Sequence, residues 1–173
     1  MMGSRWRFAK GGKGMSIERV REHLKQFGLA ERILEFDTSS ATVELAAQAA
    51  GVAPERIAKT LSFKDGDGCI LLVVAGDARV DNKKFRDAFG VKAKMLTPEE
   101  ALELTGHAVG GVCPFVVGPR AKVYLDESLR RFETVLPAAG NDRSAVTLTP
   151  DELYRASKAI GWVDACKGWR AEE

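Results

Sequence analysis

Apolar residues recur at three- and four-residue intervals in several short stretches of the sequence, which is the spacing of one helix face. The first stretch covers residues 17–27, with Ser16 in position to cap the helix and Gly28 in position to end it. The same reasoning predicts a helix from about Thr42 to Ala50 that ends at Gly51, and another that is capped by Asp81 and closed by Gly90. The pattern therefore predicts three amphipathic helices in the first half of the chain.

Two further helices share one start signal. Thr97-Pro98-Glu99-Glu100 and Thr149-Pro150-Asp151-Glu152 each place a Thr at the cap, a Pro at the first helical position and a Glu at the third. We expect the first of these helices to end at Gly106 and the second at Gly161.

Short apolar runs bounded by turn residues predict strands. Residues 59–64 and 69–75 flank the turn Asp65-Gly66-Asp67-Gly68, which is typical of a β-hairpin. Because strands and helices do not alternate strictly and several strands are joined by short turns, an α+β domain with a mixed sheet is expected. The other strand candidates are residues 33–36, 92–96, 115–117, 122–125, 134–136, 145–148 and 162–166.

The composition, with 45% hydrophobic and 29% charged residues, fits one globular domain at a length of 173 residues. The formal net charge of +2 comes from residues 1–14, which carry four of the 26 basic side chains and no acidic one. The remaining 22 basic and 24 acidic residues disfavour tight, sequence-independent binding to nucleic acid.

Residues 1–14 also lack the apolar stretch of a secretory signal. We interpret them as a disordered extension or an expression leader, and residues 15–173 as the domain.

Cysteine usage points to a reducing, cytoplasmic location. Cys69, Cys113 and Cys166 are odd in number and widely spaced, which argues against a disulfide framework or a zinc knuckle.

The two histidines are far apart and no carboxylate cluster has ligand spacing, so no metal site is predicted. The longest apolar run, residues 69–75, is too short to span a membrane, and no phosphate-binding glycine motif precedes a helix.

The string Gly110-Gly111-Val112-Cys113-Pro114 predicts a loop that binds through its peptide groups. Two glycines allow a positive φ or a close approach to a ligand, while Pro114 fixes its own φ and favours extended geometry at Cys113. Taken alone, the string is more simply explained as a glycine-rich turn between two elements.

Lys59 is the charged residue whose position is hardest to explain. If residues 59–64 form a strand, Lys59 shares one face with Leu61 and Phe63, on the apolar side. A buried ammonium needs an anionic partner or a wet pocket. The alternative is a strand that begins one residue later, with the Lys59 side chain extending to solvent. Paired with the glycine loop, a buried Lys59 suggests a site that holds a carbonyl or ester and stabilises charge on it.

Cys113 and His107 suggest a second kind of chemistry, a hydrolase in which the imidazole activates the thiol as nucleophile. The two residues lie six positions apart, and the sequence shows no third group to orient the histidine. A structural cysteine is therefore the better interpretation. His107 could instead cap the preceding helix or line the rim of the pocket.

In these residues the chain resembles the YbaK/ProX family of free-standing aminoacyl-tRNA editing domains, related to the editing insert of bacterial prolyl-tRNA synthetases. The resemblance extends over nearly everything from Met15 to Cys166. Its most specific feature is the combination of a lysine with a G-x-x-x-P loop. The segments that carry it are residues 57–61, 74–77, 106–115, 137–140 and 145–148.

The resemblance implies a single domain with a mixed, barrel-like sheet flanked by helices, and hydrolysis of the ester between a wrong amino acid and tRNA. The expected partners are mischarged tRNA, in the first place tRNA for proline, and prolyl-tRNA synthetase, with no metal and no cofactor. Lys59, Gly110 and Gly111 are implied in catalysis. The implied substrate contacts are Thr60, Gly76, Asp77, His107, Val112, Cys113 and Pro114.

Two other functions stay open at this point. One is a non-catalytic module of the same fold that binds tRNA or an aminoacyl group, and the other is the Cys113-dependent hydrolase. The sequence does not rank alanine, cysteine, serine and threonine as the amino acid removed, because one methyl or hydroxyl is worth only about 1–3 kcal/mol. It does not give the oligomeric state either.

Overall fold

The computed structural model describes residues 15–171, so the extension predicted over residues 1–14 lies outside the described residues. Five helices lie within this range, each close to a position predicted from the sequence. They are α1 Met15–Lys25, α2 Val43–Ala50, α3 Asn82–Phe89, α4 Pro98–Thr105 and α5 Pro150–Ala156, and short 3₁₀ turns cover Ala30–Arg32, Pro54–Arg56 and Glu127–Arg131.

A five-stranded mixed sheet forms the centre of the domain. The strands within the described residues are β1 Ile33–Glu35, β2 Ile57–Asp65, β3 Gly68–Ala75, β4 Arg79–Val80, β5 Ala121–Asp126, β6 Leu136–Pro137, β7 Ser144–Val146, β8 Gly161–Val163 and β9 Cys166–Lys167. The central sheet has the order β6-β2-β3-β5-β8, in which β2 and β3 are antiparallel and the other neighbours are parallel. Two antiparallel pairs, β1-β7 and β4-β9, complete the set. The predicted α+β class with a mixed sheet is confirmed.

The predicted β2–β3 hairpin lies inside this sheet, with β6 on one side and β5 on the other. Its pairing runs without interruption from Ala58 opposite Ala75 to Asp65 opposite Gly68. All eight residues of β3 are buried, and the seven from Cys69 to Ala75 belong to one hydrophobic core with buried side chains of α1, α3, α4 and α5. Since burying a large aliphatic side chain contributes about 1.5–3 kcal/mol, β3 anchors β2 firmly on one side.

Most of the helix signals act as predicted. Thr97 and Thr149 each form a complete capping box with the glutamate three positions on, and both helices carry Pro at the first position. Thr42 and Asp81 accept hydrogen bonds from backbone N–H groups at the starts of α2 and α3. Gly106 ends α4 with a φ of +81°. Local chemistry therefore decides where these helices begin and end.

Two predicted helix ends are wrong. Ser16 lies within α1 and does not precede it. Helix α5 ends at Ala156 and does not reach Gly161, because Lys158 adopts a φ of +54° and turns the chain toward the sheet. Gly161 then begins β8.

Three strand predictions also need correction. Residues 92–96 form no strand, and only Met95 makes an isolated bridge to Phe63 of β2. Residues 115–117 bend, with Val116 at a φ of +52°, which extended backbone does not allow. Residues 162–166 divide between β8 and β9, since β8 continues the central sheet while β9 pairs with β4. Apolar content alone could not separate these irregular segments from strands.

No helix within residues 15–171 combines the length and the apolar character that crossing a membrane requires.

Candidate functional site

A cavity of about 470 Å³ lies beside strand β2. Its walls come from parts of the chain that are far apart in sequence, so the fold is what creates it. The lining residues belong to the segments 40–46, 57–62, 95–101, 109–112 and 136–145.

Lys59 is the one ionisable side chain that lines this cavity among the described residues. Strand β2 begins at Ile57, two residues before Lys59, so the alternative of a later strand start is wrong. The side chain is half-buried, and this burial lowers the pKa of the ammonium below its ordinary value. The carboxylates of Glu44 and Asp77 act in the opposite direction. The site therefore holds a partly desolvated cation ready to bind an anion.

Thr60, the next residue along β2, also lines the cavity. Its hydroxyl oxygen Oγ1 is buried and has no hydrogen-bond partner among the described residues. Buried polar groups are almost always paired, so an unpaired hydroxyl at a cavity wall indicates a position where a ligand or water completes the bonding.

The glycine loop faces the cavity through Gly110 and Val112. Gly110 has a φ of +94°, a conformation that favours glycine. Gly111 is buried behind it and donates its N–H to the carbonyl oxygen of Ala108 at 3.0 Å. A Cβ at residue 111 would lie only 2.5 Å from Cα of Asn141. Gly111 thus allows a close backbone approach, and its N–H is not available to a substrate.

His107, which precedes the loop, and Cys113, which belongs to it, are fully buried, and neither lines the cavity. His107 Nε2 is 2.7 Å from the carbonyl oxygen of Phe115, which can only accept, so Nε2 carries the hydrogen and Nδ1 accepts from the Ser16 hydroxyl. Burial lowers the pKa of His107 to about 4 and raises that of the Cys113 thiol to about 12. Both groups are neutral near pH 7, and the histidine ties α1 to the end of the loop.

Acidification should destabilise the fold through His107. Its pKa falls from 6.5 to about 4 on folding, so between these values the unfolded chain binds a proton that the folded chain does not. This contribution to stability is complete above pH 6.5 and is lost as the pH falls toward 4. We expect a loss of about 2 kcal/mol between pH 6.5 and pH 5, measured by urea unfolding. His107→Gln should lack this part of the pH dependence, and an equal loss in both proteins would contradict the assignment.

A profile described as "Aminoacyl-tRNA editing domain" matches residues 37–156, which include all five segments of the cavity wall. The chain belongs to the aminoacyl-tRNA editing domain family. The resemblance inferred from the lysine and the G-x-x-x-P loop is confirmed.

Relatives of this editing domain include two bacterial proteins and a solved structure. The chain is 54% identical over 156 residues to the uncharacterized protein YwhH of Bacillus subtilis, covering 90% of this chain and 99% of YwhH. It is 30% identical over 159 residues to the multifunctional Ser/Thr-tRNA deacylase ProXp-y of Escherichia coli, covering 88% and 93%. A crystal structure described as a candidate trans-editing enzyme for prolyl tRNA synthetase superimposes with a TM-score of 0.80 at 35% identity, covering 88% and 98%.

Two predicted contacts of the editing domain, Gly76 and Asp77, do not line the cavity. A Cβ on Gly76 would collide with the backbone carbonyl oxygen of Pro54 and lie 2.9 Å from Cγ1 of Val43, so this glycine lets the Pro54–Arg56 turn and α2 pack against the end of β3. Asp77 is bound to the guanidinium of Arg131 through both carboxylate oxygens, at 2.5 and 3.0 Å. Pro114 is likewise buried and away from the cavity wall.

The sequence missed several wall residues of the editing domain. Ser40, Ser62 and Ser144 add hydroxyl groups to the wall. The backbone N–H of Ser144 donates to the hydroxyl oxygen of Ser40 at 3.1 Å. Met95 and Val109 line the cavity although they are 55% and 64% exposed, which places them at its mouth. Small side chains at residues 39–42 were the available signal, because they leave space beside β2.

Proposed function

We propose that this editing domain hydrolyses the ester that joins a wrong, small amino acid to tRNA, with tRNA for proline as the main substrate. The observation that carries the proposal is one cavity lined by both Lys59 and Gly110. Its walls in the described residues contain no carboxylate, thiol or imidazole side chain. Such a site is suited to holding an ester and stabilising charge on it. The names of ProXp-y and of the trans-editing neighbour support this substrate class.

In this proposal Lys59 holds the nucleic-acid end of the substrate. Its ammonium binds the 3′-terminal phosphate or ribose, a charge-assisted hydrogen bond of the stronger kind. Partial burial strengthens the attraction, since the effective dielectric constant is lower than in water. Lys59 thus positions the acyl group next to the glycine loop.

The backbone of the glycine loop supplies the charge stabilisation. As water adds to the acyl carbon, the carbonyl oxygen gains negative charge, and a peptide N–H aimed at it lowers the barrier. Because Gly111 gives its N–H to Ala108, we assign this role to the N–H of Gly110, with Gly111 holding the loop in place. The acyl–oxygen bond then breaks, and the proton from water passes to the ribose oxygen.

The attacking water is positioned by the substrate's own ribose hydroxyl in this scheme. Among the described residues, the cavity wall contains no carboxylate or imidazole that could act as a general base, and Lys59 is used as an ammonium. The described residues also contain no group of three His, Cys, Asp or Glu side chains that could ligate a metal. The scheme therefore uses groups that the ester and the wall already contain.

A deacylation panel tests the proposal. Transfer RNA for proline is charged with alanine, cysteine, serine, threonine or proline, and release of each amino acid is followed with and without the protein. We expect accelerated release of at least one small amino acid and no acceleration for proline. Panels with and without prolyl-tRNA synthetase, which we propose as a cytoplasmic partner, show whether the domain acts alone. Binding of every charged tRNA without release would favour a non-catalytic module.

Cys113→Ala separates this proposal from the thiol-dependent hydrolase. Because the thiol is fully buried and its pKa is raised to about 12, it forms no thiolate near pH 7. We expect the variant to keep deacylation within about threefold, with a stability loss of about 1 kcal/mol from the lost sulfur packing. Loss of turnover in a variant that unfolds cooperatively would restore the thiol hypothesis.

A further inference from the structure

The outer edge of β2, the side away from β3, is occupied at both ends and open in the middle. Strand β6 pairs with Ile57 and Ala58 at the start. Toward the end, Leu96 donates its N–H to the carbonyl oxygen of Ser62, and Lys64 donates to that of Lys94. The pairing with β6 ends at Ala58 and the next begins at Ser62. Within the described residues, this leaves a gap in which no strand segment pairs with Thr60.

The peptide groups of Thr60 point into that gap. In an antiparallel pair, successive residues direct their N–H and C=O alternately to the two sides of the strand. The register with β3 is unbroken from Ala58 to Asp65, so the alternation holds throughout. Ser62 and Lys64 bond on the outer side, and Thr60, two positions earlier, therefore faces the same way. The cavity lies at this edge, since residues 59–61 line it.

One amino-acid residue has the groups that such a gap accepts. A strand residue donates its N–H to a carbonyl on the neighbouring strand and accepts that strand's N–H on its own carbonyl oxygen. In an aminoacyl ester, the α-ammonium and the ester carbonyl carry the same donor and acceptor. The ammonium needs an acceptor inside the cavity, and the lining side chains of the described residues include no carboxylate.

We propose that the aminoacyl group fills this gap as a single strand residue, an assignment that rests on the proposed deacylase function. Its α-ammonium donates to the carbonyl oxygen of Thr60, and its ester carbonyl oxygen accepts the N–H of Thr60. The ester carbonyl oxygen thus accepts hydrogen bonds from the N–H of Thr60 on one side and from the N–H of Gly110 on the other. The unpaired Thr60 hydroxyl lies beside the gap as one more hydrogen-bonding group for the ammonium.

This pairing makes binding depend on the α-amine as well as on the side chain. Lactyl-tRNA, in which a hydroxyl replaces the amine of alanine, cannot donate a charged hydrogen bond to Thr60. We expect lactyl-tRNA for proline to be hydrolysed roughly 10- to 100-fold more slowly than the alanyl ester, after correction for their uncatalysed rates. Equal corrected rates would overturn the pairing while leaving the deacylase function in place. Hydrolysis of neither ester would instead count against the deacylase function.

Amide resonances give a readout that does not depend on turnover. In the free protein, the Thr60 N–H should exchange with solvent much faster than those of Lys59 and Leu61, which point toward β3. A CCA oligonucleotide carrying alanine on a 3′-amide linkage should shift and protect the Thr60 N–H, and the lactyl counterpart should do so less. A Thr60 N–H that is already protected, or one that the alanyl analogue leaves unchanged, would overturn the proposal.

A proline substitution tests the same N–H in the enzyme. Thr60→Pro removes an N–H that pairs with no strand, so the sheet should tolerate it, as sheets tolerate proline at edges. Thr60→Val removes the hydroxyl and keeps the N–H. We expect kcat of the proline variant to lie about 100-fold below that of the valine variant, the loss typical of one missing oxyanion donor. Equal kcat values would overturn the role of the N–H, and if the proline variant unfolds, the amide readout decides.

Discussion

Replacing Lys59 by methionine should reduce kcat/KM for deacylation by about 100-fold or more, the scale of losing one charged group that positions a reacting ester. Methionine keeps the apolar stem and removes the ammonium, so the cavity wall stays filled. Because burial disfavours the charged form of Lys59, the variant should unfold at the same temperature as the wild type or higher. A loss of activity without a loss of stability would then be assigned to the missing charge.

Lys64→Met is the matched control for Lys59→Met. Lys64 lies on the same strand, but it does not line the cavity and pairs with Glu100 at 3.4 Å near the surface. The control removes one positive charge from β2 and should change kcat/KM by less than about twofold, since surface ion pairs contribute about 0–1 kcal/mol. If both variants lose activity equally, general charge attraction to tRNA explains the effect, and a specific role for Lys59 is wrong.

Gly111→Ala should have the second large effect, on both stability and catalysis. The added Cβ would lie 2.5 Å from Cα of Asn141 and within 3 Å of its backbone N and C, so one of the two backbone segments must move. Overpacking of this kind costs about 1–3 kcal/mol. The displaced loop carries Gly110 with it, and a shift of about 1 Å at a catalytic group can lower kcat about 100-fold.

Gly161→Ala is the control for the glycine substitution. A Cβ at residue 161 meets no atom within 4 Å, and β8 begins there without a positive φ. Its stability should change by less than about 0.5 kcal/mol. Kinetics are compared at a temperature at which both variants are folded. A Gly111→Ala protein with wild-type kcat would show that the exact position of the loop does not matter for the reaction.

The sequence predicted those parts of the fold that depend on local chemistry. The Thr-Pro-x-Glu strings gave the starts of α4 and α5, and the Asp-Gly turn gave the β2–β3 hairpin. The prediction from sequence failed where tertiary contacts, and not local preferences, decide the structure. Residues 92–96 were predicted to form a strand, but they only approach the outer edge of β2 through Lys94 and Leu96, with one isolated bridge at Met95.

The candidate site was predictable only in part for the same reason. Lys59 stood out because an ammonium on an apolar strand is unusual, and Gly110 stood out because two adjacent glycines precede Pro114 in one short loop. The gap opposite Thr60 could not be foreseen, because it depends on where β6 stops and where residues 94–96 approach β2. His107 looked like a pocket residue, but the hydrogen bonds of its ring to Ser16 and Phe115 and its burial indicate a structural role.

A crystal structure with the 3′-amide-linked alanyl CCA oligonucleotide tests the central claim most directly. We predict the acyl group inside the cavity beside β2, its carbonyl oxygen about 3 Å from the N–H of Gly110, and Nζ of Lys59 on the terminal phosphate or ribose. An acyl group bound outside the cavity, or an Lys59 ammonium directed away from the nucleotide, would contradict the account.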